Sequence, residues 1–307
     1  MRELLTTPLF EPVSGLLNHH LSRIQEADTV LLTAPATLEG VLALGQLEAA
    51  CLDNKIRYSR RFTPARHHVP RDATAVPDPA EQGLTIFCNV EEETWQADDV
   101  AREGLLNLVP LQTHVVLGAQ NRRHTGALDP VIQAAVLASH LSPNGPRVRT
   151  LRPFLALGLW LRGGLDTTYD PIHTVAIAHL QEEGSVRTLP LPEIQAPVVE
   201  MMPGLSARQL KRLNKAWPSM DVEQRTLALS ELALPCLADG QLSTPRLEEL
   251  LWHRLVVRDQ SLDLVSQVHL AHRSWPKDAD AAGIHASKTL DQWFTTGCLA
   301  VQDEATD

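Results

Sequence analysis

Apolar residues recur along the first half of this chain in two alternating rhythms, and the switches between them set the expected architecture. Residues 9–25 place Val13, Leu16, Leu17, Leu21 and Ile24 on one face at helical spacing. A β-rich run over residues 29–33 follows. Leu38, Val41, Leu42, Gly45, Ala49 and Leu52 then mark the buried face of a helix over residues 37–52. A turn at Asp53 and Asn54 leads to a second strand over residues 55–62. Strand, helix and strand with a crossover of this length form the βαβ unit of a parallel sheet.

The pattern continues with a short strand over residues 84–90, LTIFCNV, and an acidic segment leading to a helix that ends near Asn107. Another strand is expected over residues 114–119. Asp129 and Pro130 then start a helix that runs to about His140, with Asp129 as N-cap and Pro130 at the first helical position. Strands alternating with helices predict an α/β fold, a doubly wound and mainly parallel sheet. Ligands of such sheets bind where strands end and helices begin, so the loops after Thr33, Cys88 and Leu117 are expected to cluster.

Residues 151–161 read as a buried helix, and residues 172–191 fit either helix or strand. Pro190, Pro192, Pro197 and Pro203 mark a linker. Beyond it, helices are expected over residues 206–216, 221–238, 244–258 and 262–272. Asp221 with Gln224 forms a capping box, Gly240 ends that helix, and Thr244 with Pro245 starts the next. The expected division is an α/β domain over 1–195, a smaller all-helical region over 204–300, and an acidic tail over 301–307.

Composition narrows the class. The chain has 307 residues, 44% of them hydrophobic, enough for a sizeable core. No apolar run approaches the roughly 20 residues that a membrane helix needs. The opening MRELLTTPLFEP has no signal-peptide hydrophobic region, so a cytoplasmic location without membrane contact is expected. Cys51, Cys88, Cys236 and Cys298 stand singly, without the paired spacing of zinc or redox motifs, and read as small buried or half-buried side chains.

A formal charge of −10 disfavours a free-standing, high-affinity nucleic-acid binder but leaves room for a local basic patch. KIRYSRRFTPARHHVPR supplies one, with Lys55, Arg57, Arg60, Arg61, Arg66 and Arg71 interleaved with Tyr58 and Phe62 and no acid. Cations with aromatic neighbours suit single-stranded nucleic acid. A basic protein-docking edge, or a strand with one polar side, fits the same residues. Strand alternation would set Arg57 and Arg61 on one face and Tyr58, Arg60 and Phe62 on the other.

Histidine pairs offer little. His67 and His68 lie in a proline-flanked loop, and His19 and His20 point about 100° apart on a helix, so they cannot share a metal from one face. Glu91, Glu92, Glu93, Asp98, Asp99 and Glu103 read as a solvated or partner-facing loop. Trp252 and Trp275 are candidate exposed anchors for a partner.

The turn after the first strand, APATLEG, carries Pro35, Thr37, Glu39 and Gly40. It resembles the first motif of the DHH phosphoesterase family, His-x-Asp-x-Asp-Gly, with only the glycine retained. MPGLSARQLKRLNKAW and the leucine-rich helices after it resemble the archaeal RecJ-like branch of that family, which is related to cell division control protein 45. The resemblance places Asn89 at the second motif's aspartate. It places Gly118, Ala119 and Gln120 at the Asp-His-His that names the family, and Arg162, downstream of Gly158, at the fourth motif's aspartate.

A pair of Mn²⁺ or Mg²⁺ ions needs several carboxylates and imidazoles to balance it. The resemblance therefore implies a lost metal site, no cofactor and no catalytic residue. The substrate-gripping DHHA1 domain is also expected to be absent, with residues 290–300 resembling the approach to it. It further implies a non-catalytic component of an archaeal-type DNA replication complex, scaffolding the GINS complex and the MCM helicase. Two alternatives stand beside it. One is a single-strand nuclease or phosphoesterase with a metal site rebuilt from Glu39, Glu91 and the histidines of residues 65–70. The other is a non-catalytic single-stranded nucleic-acid module making weak contact through Arg57, Arg60 and Arg61.

Overall fold

The helix expected over residues 9–25 begins as a 3-10 turn, Glu11–Val13, and continues as α1 (Ser14–Glu26), which buries Leu17, Leu21 and Ile24. The computed structural model describes residues 4–5, 7–70, 76–96, 102–162, 169–199, 202, 205–238, 243–257 and 260–300, with backbone alone over 233–238. After α1 come β1 (Val30–Pro35), α2 (Leu38–Asn54), β2 (Tyr58–Thr63), β3 (Leu84–Cys88) and β4 (Leu105–Leu108). These four strands form one parallel sheet in the order β2-β1-β3-β4. Every residue of β3 is buried, which is why LTIFC reads as a continuous apolar run rather than an alternating one.

One face of the sheet carries the helices. Tyr58 and Arg60 of β2 share that face with Val30 and Leu32 of β1 and with Leu84 and Ile86 of β3. The other face is crossed, among the described residues, by the β2–β3 connection, whose Ala80 N–H donates to the Thr85 hydroxyl at 2.8 Å. That connection holds the short 3-10 turn Arg66–His68 where a doubly wound fold would place a helix.

Two expectations fail between residues 102 and 128. The segment ending near Asn107 is strand β4, not a helix. Its LLNL core is too short to show a period, and the acids before it imitate a helix start. Arg23 of α1 covers the outer edge of β4, donating to the carbonyls of Arg102 and Leu105 at 2.9 and 3.1 Å. The strand expected over 114–119 is β5 (Leu111–Leu117), which pairs antiparallel with β6 (Arg122–Leu128) in a hairpin separate from the parallel sheet. Pro110 lacks an N–H and interrupts the chain between β4 and β5. Gly118 at φ 77° and Asn121 at φ 48° then let the chain reverse within a tight turn.

α3 (Pro130–Leu141) starts where its cap predicts, with the Asp129 carboxylate accepting from the N–H groups of Val131 and Ile132. Residues 151–161 are helical throughout, as the end of α4 (Pro146–Leu151), a 3-10 turn Arg152–Ala156, and α5 (Leu157–Leu161). The ambiguous stretch contains both kinds of element, α6 (Pro171–Glu182) and β7 (Arg187–Leu189).

Then follow α7 (Ala207–Ala216), α8 (Val222–Ala238), α9 (Thr244–Leu251), β8 (Arg254–Val256), α10 (Leu264–Arg273) and α11 (Ala279–Thr296). The helix expected over 244–258 stops at Leu251, and β8 pairs antiparallel with β7. The segment after the proline-rich linker is therefore not all-helical.

Two apolar cores result. The larger joins the sheet, α1 to α6 and the C-terminal helices α10 and α11. Trp293 of α11 is fully buried, meets the Phe154 ring edge-on at 4.9 Å, and packs against Gly45 of α2. The smaller core gathers Leu191, Val199, Leu210, Leu213, Trp217, Leu229 and Leu251 around α7, α8 and α9. Among the described residues, no helix is long and apolar enough to cross a membrane.

Candidate functional site

From β1 the chain passes through α2 to β2 on one side, and then returns past β1 to β3 on the other. That reversal is the switch point at which α/β sheets bind ligands, beyond the carboxyl ends of their strands. A cleft of about 820 Å³ opens there, lined by Thr37, Glu39, Arg66, His67, Val69, Val90, Glu91, Glu93 and Arg162.

Local backbone chemistry builds its floor. The Thr37 hydroxyl caps α2 by accepting the Gly40 N–H at 3.1 Å, and the Thr37 N–H bonds the Pro35 carbonyl at 2.8 Å. This folds the Pro35 carbonyl against Gly40, where any Cβ would lie 2.0 Å from that oxygen. Gly40 is thus required by the turn itself, whatever the turn once held. Trp275 fixes the same loop from outside, its indole N–H donating to the Ala36 carbonyl at 3.0 Å. It is consequently a packed structural side chain and not an exposed anchor, whereas Trp252 is 50% exposed.

Arg162, at the C-cap of α5, forms one wall. Its Nη1 donates to the Val90 carbonyl at 3.0 Å and its Nη2 to the Glu92 carbonyl. Behind it lies Asp129, fully buried, with one carboxylate oxygen bound by the α3 N-terminus and the other without a hydrogen-bond partner. Burial pushes the Asp129 carboxyl up to about 6, against the opposing pull of the Ile132 N–H and of Arg162. Gly158 makes this approach possible, since a Cβ there would stand 2.6 Å from the Asp129 oxygen.

The opposite wall is Glu91. Both of its oxygens accept the Arg66 backbone N–H at 2.9 Å, tying the β2–β3 connection to the loop after β3. Burial raises its pKa, while the Arg66 N–H and the nearby His67 oppose the rise. Sequence reasoning missed the Arg66 to Glu91 tie, because a backbone donor leaves no mark on the side-chain pattern.

The expected motif positions separate here. Thr37, Glu39 and Arg162 do line the switch-point cleft, with Pro35 at the end of β1 and Asn89 just after β3. Gly118, Ala119 and Gln120 do not. They form the β5–β6 turn and line a different groove with Arg122, His124, Tyr169 and Thr174. The residues that actually follow β4, beside Asn89, are Val109 and Pro110, and the Asn89 N–H bonds the Leu108 carbonyl at 2.9 Å. Gly118 to Gln120 are thus separated from the end of β4 by the whole of β5.

The basic patch separates too. Arg57 and Arg61 are exposed, as alternation required. Arg60 points to the helical layer, where it bonds Glu48 at 3.1 Å and Asp291 at 2.6 Å and so joins β2 to α2 and α11. It is a structural ion pair and not a solvent-facing contact. Arg66 lines the cleft, and Arg71 lies outside the described residues, as do Asp98 and Asp99. His19 is exposed while His20 is buried in α1. Cys51 and Cys88 are buried, and burial pushes both thiols up to about 12. No family model matches the chain, and no curated protein matches it.

The donors at this cleft do not fit a two-metal centre. The cleft's carboxylates are Glu39, Glu91 and Glu93, of which Glu91 is bonded to the Arg66 N–H, and they share the cleft with His67 and the guanidinium of Arg162. A cation on that wall adds positive charge where two divalent ions need it cancelled. Among the described residues, no group of three or more His, Cys, Asp or Glu side chains is arranged to hold a metal ion. What the arrangement does chemically is join loops: Arg162 and Glu91 each bond backbone groups of another segment.

Proposed function

We propose that this chain is a non-catalytic, RecJ-like protein of the DHH phosphoesterase type that serves as a scaffold in an archaeal-type DNA replication complex, holding GINS and the MCM helicase. The observation that supports it most is Arg162. A guanidinium bonded to the Val90 and Glu92 carbonyls takes the place where the resemblance calls for a metal-binding carboxylate. Such a side chain ties the loop after β3 to the end of α5 along one wall of the cleft, which suits a surface for protein docking better than a centre for hydrolysis.

The rebuilt-metal alternative needs Glu91 as a ligand. Its two oxygens share the Arg66 N–H, and a metal there would compete with the tie between the two loops, so that reading has less support. The partners come from the family resemblance, and binding tests them. Full-length chain mixed with the purified GINS complex of the same organism is expected to co-elute as a stoichiometric complex in size-exclusion chromatography. Separate elution at concentrations well above the micromolar range would remove the replication assignment.

A further inference from the structure

α7 carries four cations and no acid: Arg208, Lys211, Arg212 and Lys215. Their spacing of i, i+3, i+4 and i+7 stacks them on one face of the helix. All four are exposed, while Leu210 and Leu213 on the opposite side are buried in the smaller core beside Trp217. Among the described residues none of the four has an ion pair or a side-chain hydrogen bond.

This stripe runs against the helix's own electrostatics. Like charges three and four residues apart repel, and Arg208 sits in the first turn, where the helix dipole disfavours a cation. The capping box of Ser206 with Gln209 and the buried leucines hold α7 together in spite of it. In a chain whose net charge is −10, four unpaired cations in one row are a local reversal of sign.

We propose that the exposed face of α7 binds the phosphodiester backbone of nucleic acid, without reading sequence. Three observations favour this partner. Phosphate contact needs only Lys and Arg at the surface, and it gains from counterion release. A protein partner would require an apolar or aromatic anchor in the patch, whereas the large exposed apolar side chains, such as Leu227 on α8 and Trp252 just after α9, lie outside α7. A lipid surface would require the apolar face of the helix, which is already buried in the protein. The site is independent of the GINS reading, since loss of nucleic-acid binding with GINS binding retained would separate the two.

The test is fluorescence anisotropy of the full chain with a labelled oligonucleotide of roughly 20 nucleotides, single-stranded in one arm and duplex in the other, between about 50 and 200 mM salt. With four phosphates neutralised, log K is expected to fall against log salt with a slope of about −3 on the single strand and about −4 on the duplex. The variant Arg208→Gln, Lys211→Gln, Arg212→Gln, Lys215→Gln is expected to bind at least roughly tenfold more weakly with a flatter slope. The control Arg273→Gln, Lys277→Gln, two exposed cations outside α7, is expected to bind as wild type does. If the fourfold variant melts early, Lys211→Gln and Lys215→Gln singly should each reduce the single-strand slope by about 0.7. Wild-type affinity in the fourfold variant overturns the proposal, as does a wild type that binds poly-glutamate or anionic vesicles but neither oligonucleotide.

Discussion

The guanidinium of Arg162 donates to the Val90 carbonyl at 3.0 Å across 72 residues of sequence, and so locks the loop after β3 to the end of α5. A charged donor bonded to a backbone carbonyl is worth more than a neutral one, and removing it leaves that carbonyl facing a partly closed cleft. Arg162→Gln is expected to lower folding stability by about 1.5–3 kcal/mol, read from urea denaturation. Arg162→Asp should cost more, because it sets a second carboxyl beside buried Asp129. An unchanged denaturation midpoint in both variants would show that Arg162 is not a clamp.

Asp129 gives the molecule a pH signature. Its carboxyl titrates at about 6 in the fold against an ordinary value of 3.8, so within that window the unfolded chain releases a proton that the folded chain keeps. The stability contributed by this group is greatest below the lower value, falls as pH rises through the window, and levels off above the higher one. Asp129→Asn keeps an acceptor for the α3 cap and removes the titration. Relative to wild type, the variant is expected to gain on the order of 1–3 kcal/mol between about pH 4 and pH 7. A difference independent of pH, in parallel denaturation series, would contradict this.

Arg60 and Arg61 are neighbours in sequence with opposite roles. Arg60→Gln leaves Glu48, whose side chain is 5% exposed, without its cation, and unties α11 from β2. A loss of about 1–3 kcal/mol is expected, seen as an earlier thermal transition. Arg61→Gln, on the exposed face, should stay within about 0.5 kcal/mol of wild type. Equal effects of the two substitutions would mean that the ion pair does not hold the helix.

The first βαβ unit was legible because its apolar positions repeat with one period at a time. The N-cap at Asp129 and the capping box of Asp221 with Gln224 were legible because a cap is a local device, written in a few neighbouring residues. β4 and β8 were not, since four and three residues fall below the length at which strand and helix periods differ. The antiparallel pairing of β5 with β6 depends on the backbone at Gly118 and Asn121, and the alternation of β5 fits a parallel strand equally well. At the cleft, Glu39, Asn89 and Arg162 were found by position within elements. The place of Gly118 to Gln120 away from the cleft and the Arg66 to Glu91 tie were missed because both depend on which segments are neighbours, which one-dimensional pattern does not record.

Under the proposed function the switch-point cleft joins loops and hydrolyses nothing. The most direct test is the release of nucleotides from end-labelled single-stranded DNA by the full-length chain in saturating Mn²⁺. The expected result is no release above the protein-free blank, with Glu39→Ala indistinguishable from wild type. Release that requires Mn²⁺ and disappears in Glu39→Ala would contradict it.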